Sequence, residues 1–171
     1  GKQRIEVPVI FGGVHPSAVP EICLENECVD YVCIGEGEDA LVRLCEVLPS
    51  GLGRRPADPI ANLAWMERGR VVRGEASPFL QDLDSLPYWD KKLWTEHIRI
   101  QDNWVTMSSR GCPYRCTFCF NNFFAHIPGK GNSRGYLRQR SIEHMMGELI
   151  EAKADFDMKR VEFDDDIFTT K

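Results

Sequence analysis

The chain has 171 residues, 43% of them hydrophobic, and a net charge of −5, enough apolar material for one ordinary domain or two small ones. Acids outnumber bases and no basic stripe stands out, which excludes a dedicated nucleic-acid surface; no apolar run approaches the ~20 residues that span a bilayer. The 7 cysteines lack the spacing of a small secreted disulfide scaffold and point to a reducing compartment, the cytoplasm by default.

Residues 7–11 are a short apolar run ending in Gly12-Gly13, which predicts a buried parallel strand leaving its sheet through a backbone that needs glycine. His15-Pro16 turns the chain, and His15 reads as a turn residue rather than a ligand. Residues 17–27 read as a helix with Ile22 and Cys23 on its inner face and Pro20 near its first turn. Residues 29–34 are the next buried strand and run into Gly35-Glu36-Gly37-Glu38. Residues 39–48 read as a helix with Leu41, Leu44, Cys45 and Leu48 at i, i+3, i+4 and i+7. This strand-helix rhythm is that of a doubly wound α/β sheet, whose ligands sit at the carboxyl ends of the strands. Gly12-Gly13 and Gly35-Glu36-Gly37 both fall there, although tight turns also use glycine for steric reasons alone. Cys23, Cys28, Cys33 and Cys45 have no metal spacing among themselves and read as small core residues.

Residues 49–59, rich in Pro, Gly and Arg, mark a domain boundary. Beyond it, residues 63–66 and 71–73 flank Glu67-Arg68-Gly69-Arg70 as a β-hairpin. Residues 79–87 read as a connector whose acids face water. The expected division is therefore 1–50, a linker with a hairpin over 51–103, and 104–171.

A strand-like run over 104–107 leads into Ser108-Ser109-Arg110-Gly111-Cys112-Pro113-Tyr114-Arg115-Cys116-Thr117-Phe118-Cys119. Thiols at C-x3-C-x2-C spacing on a Gly- and Pro-containing turn are expected to converge on one small volume, as a metal or cluster requires. Closed structural zinc takes four protein ligands and no fourth Cys follows at ribbon spacing, so a zinc-stabilised binding module would need His126 to complete a Cys3His set. The other reading is an iron-sulfur cube held by three thiolates, with one iron open. Arg110 and Arg115 suit it, because nearby cations favour thiolates and offset the charge of the cluster.

Residues 121–136 are Gly-rich and aromatic without a period, and read as a loop over the site. Ser141 N-caps an amphipathic helix with Ile142, Met145, Met146, Leu149 and Ile150 on one face. Residues 160–163 form the following strand, so 104–163 makes one β-loop-α-β unit with a right-handed parallel crossover. That strand ends in Asp164-Asp165-Asp166, where parallel α/β architectures place their sites; a solvated turn capping a further helix is the alternative. The chain opens on Gly1 and stops soon after this strand, so it is expected to be a piece of a longer protein with little or no turnover alone.

The cysteine run, with Phe118 just before its third Cys and Ser109-Arg110-Gly111-Cys112-Pro113 at its entry, resembles the radical S-adenosylmethionine (SAM) superfamily, in the branch whose members often carry a cobalamin (B12)-binding domain. Residues 12–21 and 29–38 are similar to the C-terminal half of that domain. The implied fold is α/β: the C-terminal part of a Rossmann-like cobalamin-binding domain, then the first β-loop-α-β unit of a radical SAM (β/α) partial barrel. The resemblance further implies a [4Fe-4S] cluster on Cys112, Cys116 and Cys119, with SAM chelating the open iron, and cobalamin against a wall containing Gly12 and Gly13. Residues 161–169 resemble the family's second barrel strand, which implies a place near the SAM amino group for Asp165 and Asp166. Leu137-Arg138-Gln139-Arg140-Ser141 likewise resembles the R-x-R-S that opens the first barrel helix. The D-x-H-x-x-G element that supplies a lower axial His in many B12 proteins does not occur in these residues. The implied chemistry is reductive cleavage of SAM to a 5'-deoxyadenosyl radical, followed by cobalamin-dependent methyl transfer or related radical chemistry on a small-molecule substrate. An electron donor such as a flavodoxin or ferredoxin is implied with it. A cobalamin-independent member, such as a methylthiotransferase, is the second reading within the family.

Overall fold

Ile10–Phe11 (β1) and Tyr31–Cys33 (β2) pair in parallel, as expected; β2 is buried throughout, but β1 is only two residues long and Val7 and Phe11 are exposed, contrary to the buried strand expected over 7–11. The computed structural model describes residues 7–48, 56–127 and 135–169. These divide into two compact units, one of residues 7–48, 56–79 and 116–127 and the other of residues 80–115 and 135–169.

In the first unit the hairpin of Leu63–Glu67 (β3) and Arg70–Arg73 (β4) adds antiparallel to β2, giving a mixed sheet in the order β1-β2-β3-β4. Successive side chains of a strand face opposite sides, and β2 is buried on both. Tyr31 and Cys33 join Ala40, Leu44, Ile60, Leu63 and Trp65 in one core, while Val32 joins Cys23, Leu24 and Ala64 in another. Glu38–Val47 (α3) supplies Ala40 and Leu44 to the first. The stripe is therefore Ala40, Leu44 and Leu48, and Leu41 and Cys45 are exposed, contrary to the sequence expectation. Cys28 is exposed as well, leaving only Cys23 and Cys33 of that group in the core.

The helix expected over 17–27 is two short helices, Val14–Ala18 (α1) and Pro20–Leu24 (α2). Pro20 explains the break: it has no N–H to continue the ladder and disfavours helical geometry at Val19, which sits at φ −136°. The restart at Pro20 turns Cys23 and Leu24 inward and leaves Ile22 exposed. Phe120–Phe124 (α4) also belongs to this unit, a helical turn where a loop was expected. It is supported by edge-on packing of Phe124 with Phe120 and Phe123, at centroid distances of 6.0 and 6.1 Å.

In the second unit Trp104–Thr106 (β5) pairs in parallel with Val161–Phe163 (β8), and Ser109–Arg110 (β6) pairs antiparallel with Arg138–Gln139 (β7). Ile142–Phe156 (α5) lies between β7 and β8 in the chain. Ser141 caps it as expected, its hydroxyl accepting from the His144 amide at 3.0 Å. Ile100, Trp104 and Ala152 form the core, with Leu149, Phe156 and Met158 packed against it. The buried face of α5 is Met145, Glu148 and Ala152, whereas Ile142, Met146 and Ile150 are exposed. Met145 and Leu149 face inward as expected, and Tyr88 packs over Gly147, where an added Cβ would meet its Oη at 2.2 Å. Residues 49–55 of the boundary and 128–134 of the loop lie outside the described residues.

Candidate functional site

The first unit presents two glycine turns at the carboxyl ends of β1 and β2. Gly13 has φ +98°, a left-handed conformation that favours glycine, and nothing lies within 4 Å of the position its Cβ would take. Ser17, buried one helical turn later, links the two turns. Its hydroxyl donates to the Gly13 carbonyl at 2.7 Å and accepts from the Gly35 amide at 2.9 Å. The second turn is also held from β3: Asn62, buried and at φ 61°, donates from Nδ2 to the Glu36 carbonyl at 2.9 Å. Gly12 lies in ordinary contact with Cys33, its added Cβ 3.7 Å from that residue's Cβ. The result is a backbone-lined edge with an open face over Gly13, which a side chain there would fill. His15 is exposed in α1.

The second unit presents the chain ends of β5 and β8. Their parallel register pairs Thr106 with Phe163, and the Asp164 amide continues the ladder onto the Thr106 carbonyl at 2.8 Å. Ser108 therefore falls opposite Asp165. The Asp165 carboxylate accepts from the Ser108 amide at 3.1 Å, from the Ser108 hydroxyl at 2.9 Å and from the Ser109 hydroxyl. The Ser108 carbonyl accepts from the Arg140 amide at 2.9 Å. Gly111, at φ +90°, runs so close to Tyr136 that an added Cβ would lie 2.4 Å from its carbonyl oxygen. Residues 108–111, the entry to the cysteine run, are thus tied by a carboxylate, a two-residue ladder and a close backbone contact. Asp166 is exposed.

Cys112 follows directly and is partly exposed; Cys116 and Cys119 belong to the first unit, the former exposed and the latter partly so. The Cys119 amide closes a turn onto the Cys116 carbonyl at 3.1 Å, and Asn121 Nδ2 donates toward Cys119 Sγ at 3.8 Å. Phe118 is 92% exposed. Among the described residues no three His, Cys, Asp or Glu side chains are grouped so as to hold a metal ion. His126 Nδ1 lies 2.7 Å from the Asn122 carbonyl oxygen. The donor chemistry nevertheless fits a soft-metal cluster: all 7 cysteines are free, and three of them stand at C-x3-C-x2-C spacing.

Sequence reasoning missed the buried charge of this unit. Glu148, 4% exposed, pairs with Arg140, 12% exposed, at 2.6 Å, and accepts from Trp104 Nε1 at 2.9 Å. Burial pushes the Glu148 carboxyl up, but hydrogen bonds from Trp104, Arg140 and Thr106 outweigh it and hold the group below its ordinary value. Arg140 also donates to His144 Nδ1 at 2.9 Å and to the Met107 carbonyl at 3.2 Å. Of the R-x-R-S pair, Arg138 is buried and donates to the Tyr136 and Leu80 carbonyls. Lys91 Nζ sits 3.8 Å over the Trp104 ring and donates to the Val105 carbonyl; burial lowers its pKa, and the Glu148 charge raises it in part.

The connector acids do not simply face water. Asp84 accepts from the Ser141 amide at 2.9 and 3.2 Å, which places a carboxylate at the N-terminus of α5; hydrogen bonding to the Ser141 side chain and then to its amide lowers the Asp84 pKa. Asp82 accepts from the Asp84 amide. The available signal for Glu148 was its spacing, three after Met145 and four before Ala152, inside an apolar stripe. A cavity of about 40 Å³, bordered by Tyr88, Met107, Arg110, Arg140 and His144, lies at this end of the unit. It has room for a few waters.

The model of the B12-binding domain matches residues 2–45. An uncharacterised methyltransferase of Pyrococcus horikoshii is 31% identical over 165 residues, covering 94% of this chain and 34% of that protein. The chain resembles the solved structure of the cobalamin-dependent S-adenosylmethionine radical enzyme OxsB with aqua-cobalamin and S-adenosylmethionine bound. The TM-score is 0.66 at 23% identity, over 95% of this chain and 21% of that one. It also resembles the radical S-adenosylmethionine methyltransferase TsrM of Kitasatospora setae with cobalamin and a [4Fe-4S] cluster bound. There the TM-score is 0.59 at 19% identity, over 93% of this chain and 31% of that one. The chain thus spans about a third or less of the length of each relative. No helix of the described residues is long and apolar enough to cross a membrane.

Proposed function

We propose that the chain belongs to the radical SAM proteins that carry a B12-binding domain and contributes the cobalamin edge and the cluster loop of a cobalamin-dependent radical SAM methyltransferase. The match of residues 2–45 to the B12-binding domain and the methyltransferase relative support it. One observation carries this reading: a C-x3-C-x2-C run leaves the carboxyl end of a parallel β-α-β unit through an entry, residues 108–111, tied by side chains and backbone. Cys112, Cys116 and Cys119 would hold a [4Fe-4S] cluster as thiolates. Arg110 and Arg115, on either side of the first Cys in the sequence, would offset the negative charge of the bound cluster. When bound, the cluster and cobalamin supply the electron that cleaves SAM reductively and the methyl carrier.

The chain's own residues bind and orient. Gly12 and Gly13 leave a wall free of side chains for the nucleotide tail of cobalamin, which the open face over Gly13 supports. Phe118, the exposed aromatic before the third Cys, faces the cofactor. Asp165 and Asp166, at the carboxyl end of β8, stand on the side of the SAM amino group. A small-molecule substrate and a one-electron donor such as a flavodoxin or ferredoxin complete the reaction. The 7 cysteines lack the spacing of a secreted disulfide scaffold, which supports a reducing, cytoplasmic setting.

Anaerobic reconstitution of the full-length protein with iron and sulfide tests the ligand set. The expected result is a visible sulfur-to-iron charge-transfer band that Cys112→Ala abolishes. A band that survives this change intact overturns the assignment, and stoichiometric zinc without sulfide replaces it with the Cys3His module. Equilibrium binding of hydroxocobalamin tests the other half; no binding leaves a cobalamin-independent radical SAM enzyme.

A further inference from the structure

The carboxylate of Asp165 is already engaged by donors of its own chain. An ionised carboxylate offers about four acceptor sites, and the Ser108 amide, the Ser108 hydroxyl and the Ser109 hydroxyl occupy three of them. The pairing follows from the sheet: β5 and β8 run in parallel register with Trp104 opposite Val161, and continuing that register sets Ser108 opposite Asp165, 57 residues apart. Ser109 is buried and starts the short ladder to β7, and Gly111 is packed on the Tyr136 backbone. A carboxylate bound to a serine pair at the head of this stretch fixes where the chain leaves the sheet, and so where Cys112 begins its turn. Asp166, the adjacent acid, is exposed.

We propose that Asp165 is a positioning residue, acting through Ser108 and Ser109 on the entry to the cysteine loop, and is not a direct ligand of the SAM amino group. This rests on the cluster reading above, and it divides the two acids that the resemblance treats alike. Two arms test it on the full-length protein.

The first arm needs neither cluster nor SAM: amide hydrogen exchange of residues 108–112 in the metal-free protein. Losing a hydrogen bond to a charged group is expected to speed exchange there about tenfold or more in Asp165→Ala. The Ser108→Ala/Ser109→Ala variant should do the same in part, while Asp166→Ala should match wild type. The second arm is SAM affinity of the cluster-loaded protein, read as a cycle between Asp165→Ala and the double serine variant. If Asp165 acts through the serines, the combined variant binds SAM no worse than Asp165→Ala alone, a non-additive result. Additive losses, or a double serine variant that keeps wild-type exchange and affinity while Asp165→Ala loses affinity, would overturn the proposal. Should the wild-type protein assemble no cluster, the functional reading falls, while the exchange arm still decides the tether.

Discussion

At the carboxyl ends of β1 and β2 the chain is held by main-chain groups, one hydroxyl and one carboxamide: Gly13 and Gly35 meet on Ser17, and Asn62 donates to the Glu36 carbonyl. At the carboxyl ends of β5 and β8 it is held by a carboxylate and a guanidinium: Asp165 on the serines, and Arg140, paired with Glu148, on the Met107 carbonyl. Both are strand ends in α/β units, where ligands are expected. The first keeps its edge bare, which suits a large neutral surface laid along it. The second spends its side chains on fixing one loop. Glycine-built edges are broken by adding atoms, and ion-built ones by removing charge, so the two regions should respond to different substitutions.

The largest effect is expected at Glu148. Glu148→Leu leaves Arg140 buried without its partner, and breaking such a pair costs about 3–5 kcal/mol. Adding Arg140→Met removes the stranded charge and should restore much of that loss, since a buried pair replaced by apolar groups is often near neutral. Denaturant unfolding of the two variants checks it; equal destabilisation of single and double variants would break the ion-built side of the contrast.

Less costly, and opposite in kind, is Gly13→Ala. The φ of +98° strains any side chain there, at about 1–3 kcal/mol, and the methyl group enters the open face. Hydroxocobalamin affinity should fall while cluster content in the same sample stays at the wild-type level. Unchanged cobalamin binding would remove the edge from the cofactor site.

The same contrast explains what could be read from the residues alone. A strand buried on both faces shows as an uninterrupted apolar run, so β2 was legible, as were the glycine turns after it, the Ser141 cap and the β-α-β order of the second unit. The face of α5 was legible only in part. Counting apolar residues selected Ile142, Met145, Met146, Leu149 and Ile150; Met145 is buried and Leu149 packs on the core, but Ile142, Met146 and Ile150 are exposed and Glu148 and Ala152 take their place. The partners of Asp84 and Asp165 were hidden for a related reason. They lie 57 residues away, and only strand register and a docked connector bring each pair together. Pro20 was visible but weighed as a tolerated first-turn residue, although its effect on Val19 breaks the helix.

Acidification should separate the regions by the smallest margin. The folded Glu148 carboxyl is held below its ordinary value of 4.5. Between its folded and unfolded values the unfolded chain binds more protons, so stability rises with pH there. The contribution is fully present above the unfolded value and is lost as pH falls through the folded one. Glu148→Gln carries no such group. The stability gap between wild type and Glu148→Gln should therefore be constant near neutrality and narrow below about pH 4.5, with the remaining carboxylates cancelling in the difference. Gly13→Ala, which alters no titrating group, should keep a constant gap over the same range. A gap for Glu148→Gln that widens on acidification would mean that burial, not the Trp104 and Arg140 hydrogen bonds, governs this carboxylate.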